Sequence, residues 1–242
     1  MTIEFKLDPV SEHEWRIAVC GVPLTGQPLV DLFKLVPFLH TGLRRAFTQS
    51  DTCICSSKIL VGVAHAMGVP AVVQSVRCDV YNPVMTRWFE AKDWSKPDDP
   101  SEGQRLKDAG GHVLVVGADD LTRAERKANR KKKPGAWNGH LVVVVAGNLL
   151  VDMTFDQFSR PERDVAIDDL FCGPWHPQRG TSATRPDGVS VWYQPRGSKE
   201  GRDYKTFPSW RRKYVISING EGSSSRELRP ATGDKLQAKS RS

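Results

Sequence analysis

Apolar residues recur at three- and four-residue steps over residues 28–47, which is the spacing of one buried helix face. Pro37 falls inside this segment and is expected to kink or split the helix. A second segment with the same spacing follows the capping residues at 50–52 and stops at Gly68, a residue typical of helix ends. The pattern therefore predicts two successive helices early in the chain.

Valine-rich segments predict the strands. Residues 71–81 alternate loosely, and residues 141–145 and 149–153 form two apolar runs separated by turn residues. The run at 141–145 is apolar on both faces, which predicts a central strand covered on both sides. Shorter strand patterns occur at 3–7, 16–19, 112–116, 189–194 and 214–218. Together these elements predict an α+β fold with a helix packed on a central antiparallel sheet.

Changes in composition divide the chain into one folded domain and a tail. Residues 86–111 are polar and contain several Pro and Asp residues, which predicts an irregular excursion. From about residue 220 onward Ser, Gly, Arg and Lys dominate, and so few apolar residues cannot offset the entropy lost on folding. We expect a single domain over 1–219, with its core at 28–161, and a disordered basic tail over 220–242.

The chain lacks several features that would indicate other classes of protein. It has no stretch of the ~20 apolar residues that a membrane span needs, and its N-terminus lacks the basic start and apolar middle of a signal peptide. No CxxC pair occurs, and the number of cysteines is odd: Cys20, Cys53, Cys55, Cys78 and Cys172. These features predict a cytoplasmic protein with free thiols, no metal site and no membrane contact.

The net charge of +7 is unevenly distributed. Residues 123–133, within a basic insert at 119–135, carry seven basic side chains and one acid and show almost no apolar stripe. Such a segment is either a solvated helix or loop, or a surface for nucleic acid or another polyanion. On the second interpretation the binding residues would be Arg123, Arg126, Lys127, Arg130, Lys131, Lys132 and Lys133.

Cys53 lies in the first turn of the second predicted helix. Backbone N–H groups are unpaired there and the helix dipole is positive, so a thiolate is stabilised and an oxyanion could be held. A buried structural cysteine is the alternative interpretation. Cys55, two residues deeper in the same helix, is a rival nucleophile.

His140 and Asp152 lie in the two predicted strands that follow the basic insert. A lone carboxylate in an apolar strand requires a partner. With a three-residue loop at 146–148, Val145 faces Leu149, and His140 and Asp152 then share one face of the sheet, one diagonal step apart. A two-residue loop would place them on opposite faces. The sequence therefore predicts a histidine–aspartate pair, with a surface histidine at a strand edge as the alternative.

The chain order of Cys53, His140 and Asp152 resembles that of the transglutaminase-like superfamily, within the broader papain-like fold. In that family a cysteine opens a helix that ends at a glycine, as Cys53 and Gly68 do here. The histidine follows a glycine at the start of a strand, as His140 follows Gly139, and the aspartate precedes a short polar segment. The resemblance covers residues 49–161.

The resemblance implies a papain-like fold in which Cys53 is the nucleophile, His140 the base and Asp152 the residue that orients it. By analogy, Gln49 would add a side-chain donor to the oxyanion hole. The implied activity is cysteine-dependent acyl transfer, most simply hydrolysis of a peptide or glutamine amide in a peptide or protein substrate, without metal or organic cofactor. The alternative is a polyanion-binding protein on a catalytically inactive version of this fold.

Overall fold

The computed structural model describes residues 3–11, 13–47, 52–117, 139–197, 204–205, 207–220 and 226–228. Within these ranges the helices are α1 (Pro28–Ala46), α2 (Thr52–Ala66), α3 (Pro83–Ala91), α4 (Glu102–Asp108) and α5 (Pro208–Arg211). Single turns of 3₁₀ helix occupy Phe155–Phe158 and Pro161–Arg163. None of the described helices is long and apolar enough to cross a membrane.

The strands form two sheets. In chain order they are β1 (Glu4–Ser11), β2 (Glu14–Val22), β3 (Ala71–Tyr81), β4 (Val113–Val116), β5 (His140–Val145), β6 (Leu149–Asp152), β7 (Phe171–Pro174), β8 (Thr181–Thr184), β9 (Ser190–Pro195), β10 (Lys213–Gly220) and β11 (Arg226–Leu228). The architecture is mixed α+β.

The larger sheet is antiparallel, nearly closed and built around β3. Its strands follow the order β7-β6-β5-β3-β9-β8. The first half of β3 pairs with β5, while its second half pairs with β9 on one side and β4 on the other. Because β3 is long enough to serve three partners, it joins the β5–β6 hairpin to the β8–β9 hairpin.

The smaller sheet combines the two ends of the described chain. Its order is β1-β2-β10-β11, with β2 and β10 parallel and the other pairs antiparallel. Helix α2 packs between β10 on one side and β3 and β5 on the other. A Cβ at Gly62 would collide with Ile216, so the absence of a side chain there permits the close approach of α2 to β10.

Most predicted elements are confirmed, and three expectations need correction. Pro37 is expected to kink or split the first helix, and the split does not occur: α1 runs without a break from Pro28 to Ala46, with Pro37 inside it. The predicted irregular excursion contains α3 and α4, and Asn82 caps α3 by accepting a hydrogen bond from the backbone N–H of Met85. Within the predicted disordered tail, β11 pairs with β10; the remaining tail residues lie outside the described ranges.

Candidate active site

The β5–β6 hairpin has the register that the sequence predicts. Val145 pairs with Leu149 and Val143 with Val151, leaving a three-residue loop. The left-handed positions of this loop are Ala146 and Gly147, with φ of 49° and 80°. By the alternation of side chains along a strand, His140 and Asp152 lie on the same face of the sheet.

His140 and Asp152 form a buried pair at the end of this hairpin. The Nε2 atom of His140 lies 2.6 Å from Oδ2 of Asp152, and both side chains are fully buried. The same carboxylate oxygen accepts a hydrogen bond of 2.8 Å from the Tyr193 hydroxyl. The short distance is that of a charge-assisted hydrogen bond, in which the carboxylate fixes the orientation of the imidazole ring.

The second oxygen of Asp152 is held by Thr154. Oδ1 accepts hydrogen bonds from the backbone N–H of Thr154 at 2.9 Å and from its hydroxyl at 3.3 Å. With the contacts of Oδ2, the carboxylate receives four hydrogen bonds. Each of these hydrogen bonds is stronger to an ionised carboxylate than to a neutral one. Together they offset the free-energy cost of burying the negative charge.

The imidazole of His140 is enclosed on its remaining sides. Its Nδ1 atom lies 2.8 Å from the side-chain amide nitrogen of Gln157, on the 3₁₀ turn that follows β6. The ring of Phe158 packs against it edge-on, with centroids 4.8 Å apart. Since Nε2 is taken by Asp152, Nδ1 is the nitrogen that can exchange a proton. The Gln157 amide can donate its N–H to Nδ1 of the neutral ring, and after a turn about its last side-chain bond its oxygen can accept from the imidazolium.

Cys53 brings helix α2 into contact with this pair. Its side chain interacts with His140 and contributes to the raised pKa of the imidazole, and the residue is 6% exposed in the first turn of α2. It packs with Leu141 and Tyr204, while the Ser57 hydroxyl donates to the carbonyl of Leu141 at 3.2 Å. These contacts fix the first turns of α2 against β5, so the thiol stays beside the imidazole.

The electrostatics of the site favour a protonated histidine. Burial by itself lowers the pKa of His140, but the charge and hydrogen bond of Asp152, followed by the contact with Cys53, outweigh it. Together they raise the pKa from 6.5 to about 10. An imidazolium between a carboxylate and a thiol is the arrangement that stabilises a thiolate.

Cys55 lies in different surroundings. It is 2% exposed and interacts with Tyr214, whose pKa is raised by burial and then by Cys55 itself. Lys58, one turn further along α2, donates to the carbonyls of Trp210 and of Arg212, the latter at 2.5 Å. Burial lowers the pKa of Lys58.

Two further thiols lie near the carboxylate without contacting the histidine in any described interaction. Cys78 is fully buried, and burial together with the charge of Asp152 raises its pKa. Cys172 is exposed as a residue, yet burial of the thiol group and the charge of Asp152 raise its pKa to about 11. A raised thiol pKa lowers the thiolate fraction at neutral pH.

The structure thus brings together Cys53, His140 and Asp152, as the sequence predicts. Gln49 and the basic segment at 123–133 lie outside the described residues. Sequence reasoning missed Tyr193, Thr154 and Gln157. Thr154 and Gln157 follow Asp152 within five positions. Because an aspartate side chain often accepts a hydrogen bond from the backbone N–H two residues later, the sequence could have indicated Thr154 as a partner of Asp152. The signal for Tyr193 was weaker. It lies in a predicted strand among apolar residues, and a buried tyrosine hydroxyl requires a hydrogen-bond partner.

No group of three or more metal-ligating side chains occurs among the described residues. The chain was compared with models of known protein families, with curated proteins and with solved structures, and none of them matches it. Arguments about its function therefore rest on the geometry of the site.

Proposed function

We propose that this protein is a cysteine-dependent acyl-transfer enzyme of the transglutaminase-like superfamily, with a papain-like fold, that hydrolyses a peptide or glutamine amide. The observation that carries the proposal is the position of His140, which bonds the buried Asp152 at 2.6 Å and interacts with the side chain of Cys53. A helix that carries the cysteine and packs on an antiparallel sheet supports the fold assignment.

The chemistry follows from these contacts. The thiolate of Cys53, paired with the protonated His140, attacks the carbonyl carbon of the amide. The imidazolium then gives its proton to the departing amine, and the C–N bond breaks to leave a thioester on Cys53. His140 next removes a proton from water, whose oxygen attacks the thioester, and the thiolate leaves as the acid is released. Asp152 holds the imidazole and stabilises its charged form throughout.

The start of α2 supplies the electrostatic support for the tetrahedral intermediate. The first N–H groups of a helix lack intrahelical acceptors and point towards its N-terminal end. In the first turn of α2, the backbone N–H of Cys53 can donate to the oxyanion, where a single donor contributes on the order of 3 kcal/mol.

Alkylation of the intact protein with iodoacetamide tests the nucleophile without knowledge of the substrate. Labelling over about pH 5 to 9, followed by peptide mapping, should modify Cys53 first, because a neighbouring imidazolium stabilises its thiolate at neutral pH. The variant His140→Asn should slow this labelling at every pH.

A second measurement tests turnover. Release of ammonia from the glutamine side chains of dimethylated casein, and cleavage of the same protein, should be lost in Cys53→Ala and retained in Cys55→Ala. The assignment fails if Cys55 or Cys172 is alkylated faster than Cys53, or if His140→Asn leaves the rate unchanged. Fast alkylation of Cys53 without turnover of casein would reject casein as a substrate and keep the nucleophile.

A further inference from the structure

A cavity lies on the outer face of the large sheet, between α3 and the strands β3, β8 and β9. Its volume is about 420 Å³, within the range of small-ligand sites. Its aromatic lining residues are Tyr81, Phe89 and Trp192, with Tyr81 and Phe89 in tilted contact at 5.2 Å between centroids. Its polar lining consists of Thr86, Glu90, Ser182, Thr184 and Ser190. We refer to it as the aromatic pocket.

The strand register separates the aromatic pocket from the cysteine site. Tyr81 pairs with Ser190 at one end of β3, whereas His140 pairs with Val76. Five residues of strand at ~3.3 Å each put these two positions about 16 Å apart. Trp192 and Tyr193 are neighbours on β9, and their side chains point to opposite faces of the sheet. The pocket is therefore a site of its own.

The charge of the pocket points to a cationic ligand. Of the described residues that line it, Glu90 is the only charged one. Asp79 stands two residues before Tyr81 on β3 and interacts electrostatically with it, although Arg77 pairs with Asp79 at 2.8 Å. Aromatic faces attract cations through their quadrupole, and a carboxylate beside them adds a direct attraction.

The neighbouring cluster already binds an ammonium group in this way. Nζ of Lys92 lies 4.6 Å from the ring centroid of Trp88 and 5.0 Å from that of Trp94. The same nitrogen donates to Asp98 at 2.7 Å and to Glu102 at 2.9 Å. Phe89 contacts the ring of Trp94 at 4.8 Å, so one aromatic residue belongs to both clusters. The aromatic pocket has the same kinds of side chain as the cluster around Lys92, aromatic rings and a carboxylate, but no basic side chain is among its described lining residues.

The wall of the pocket contains a buried hydroxyl for which no described residue provides a partner. Thr86 is 4% exposed, and its hydroxyl has no partner in the described part of the chain. A buried hydroxyl without a partner costs about 1–3 kcal/mol, which a ligand carbonyl in reach would recover. A lysine within a peptide carries both an ammonium and nearby carbonyl groups.

We propose that the aromatic pocket binds an alkylammonium group, as presented by a lysine side chain in a peptide or by a free diamine. The site is independent of the proposed thiol chemistry, and Cys53→Ala should bind such ligands as the unmodified protein does.

Titration with N-acetyl-lysine methylamide, followed by nuclear magnetic resonance, tests this proposal. The indole N–H signal of Trp192, identified by its loss in Trp192→Phe, should shift in a saturable manner. The neutral analogue N-acetyl-norleucine methylamide, with nearly the same shape, should bind at least about fivefold more weakly if the cation–π attraction operates. Cadaverine, the free diamine, shows whether the ammonium suffices or the peptide groups contribute.

Glu90→Gln should weaken binding of the lysine derivative about fivefold. The matched control is Glu162→Gln, which removes the same charge from a different cavity. Both residues are exposed, so both variants should fold. Equal affinity for the norleucine analogue, equal weakening by both substitutions, or no saturable shift with either amine would overturn the proposal.

Discussion

Cys53 and Cys55 stand two residues apart in the first turns of α2, and both are nearly inaccessible to solvent. Cys53 contacts His140, which is itself held by Asp152. Cys55 instead lies between Tyr214 and Lys58, on the side of α2 that faces β10. One helix therefore presents two thiols to two different sets of partners.

The difference between the two thiols shows that a helix N-terminus alone does not supply everything a cysteine nucleophile needs. The helix dipole acts on both thiols, and Lys58 gives Cys55 a nearby positive charge. The described surroundings of Cys55 nevertheless lack an imidazole, the group that most often holds a proton beside a thiolate and returns it to a leaving group. Cys53 has such a group, and this contrast supports Cys53 over Cys55 as the proposed nucleophile.

The largest expected effect comes from Asp152→Asn. The substitution keeps the shape of the side chain but removes the charge that stabilises the imidazolium and fixes its tautomer. We expect the alkylation rate of Cys53 at neutral pH, and turnover where a substrate is found, to fall on the order of 10³-fold. The alkylation rate of Cys55 should not change, because Asp152 has no described contact with its surroundings.

The matched control is Asp79→Asn. Asp79 is also a buried carboxylate, 2% exposed, and it pairs with Arg77 at 2.8 Å. Its substitution should lower the free energy of unfolding while leaving the alkylation rate of Cys53 unchanged. If both variants lose stability and neither alters alkylation, Asp152 has a structural role only.

The sequence predicts the parts of this site that depend on local geometry. The apolar periodicity of α2 and the end of that helix near Gly68 place Cys53 in a first turn. The turn residues between the two apolar strands fix the loop length, and the loop length fixes which face carries His140 and Asp152. Each of these inferences needs only residues within one hairpin or one helix.

The parts that depend on long-range pairing could not be predicted. Tyr193 reaches Asp152 because β9 pairs with β3, at a separation in sequence that no turn or period encodes. The parallel pairing of β2 with β10 joins residues about 200 positions apart, such as Trp15 and Tyr214, and the packing of α2 on β10 brings Tyr214 to Cys55. Such contacts depend on loop-closure entropy and on the packing of the complete core. The pattern of apolar and polar residues therefore does not show which strands pair.

The second expected effect concerns pH and stability. Because the pKa of His140 is raised to about 10 in the folded protein, against about 6.5 unfolded, its protonation stabilises the fold fully below about pH 6.5. This stabilisation is lost as pH rises towards about 10. Urea unfolding of the unmodified protein and of His140→Asn should show a stability difference that narrows steadily over this interval. A difference that stays constant or widens would contradict a protonated His140.

The smallest effect should come from the two buried tyrosines, one beside each thiol. The Tyr193 hydroxyl donates a hydrogen bond to Asp152 at 2.8 Å. The Tyr214 hydroxyl lies near Cys55, yet no described residue meets it with full hydrogen-bond geometry.

Tyr193→Phe should therefore lower the free energy of unfolding by about 1–2 kcal/mol and slow Cys53 alkylation a few-fold, since it removes a hydrogen bond to a charged group. Tyr214→Phe should change stability by less than about 1 kcal/mol and leave Cys53 alkylation unaltered. Equal effects of the two substitutions on Cys53 would show that the hydroxyl of Tyr193 does not position Asp152.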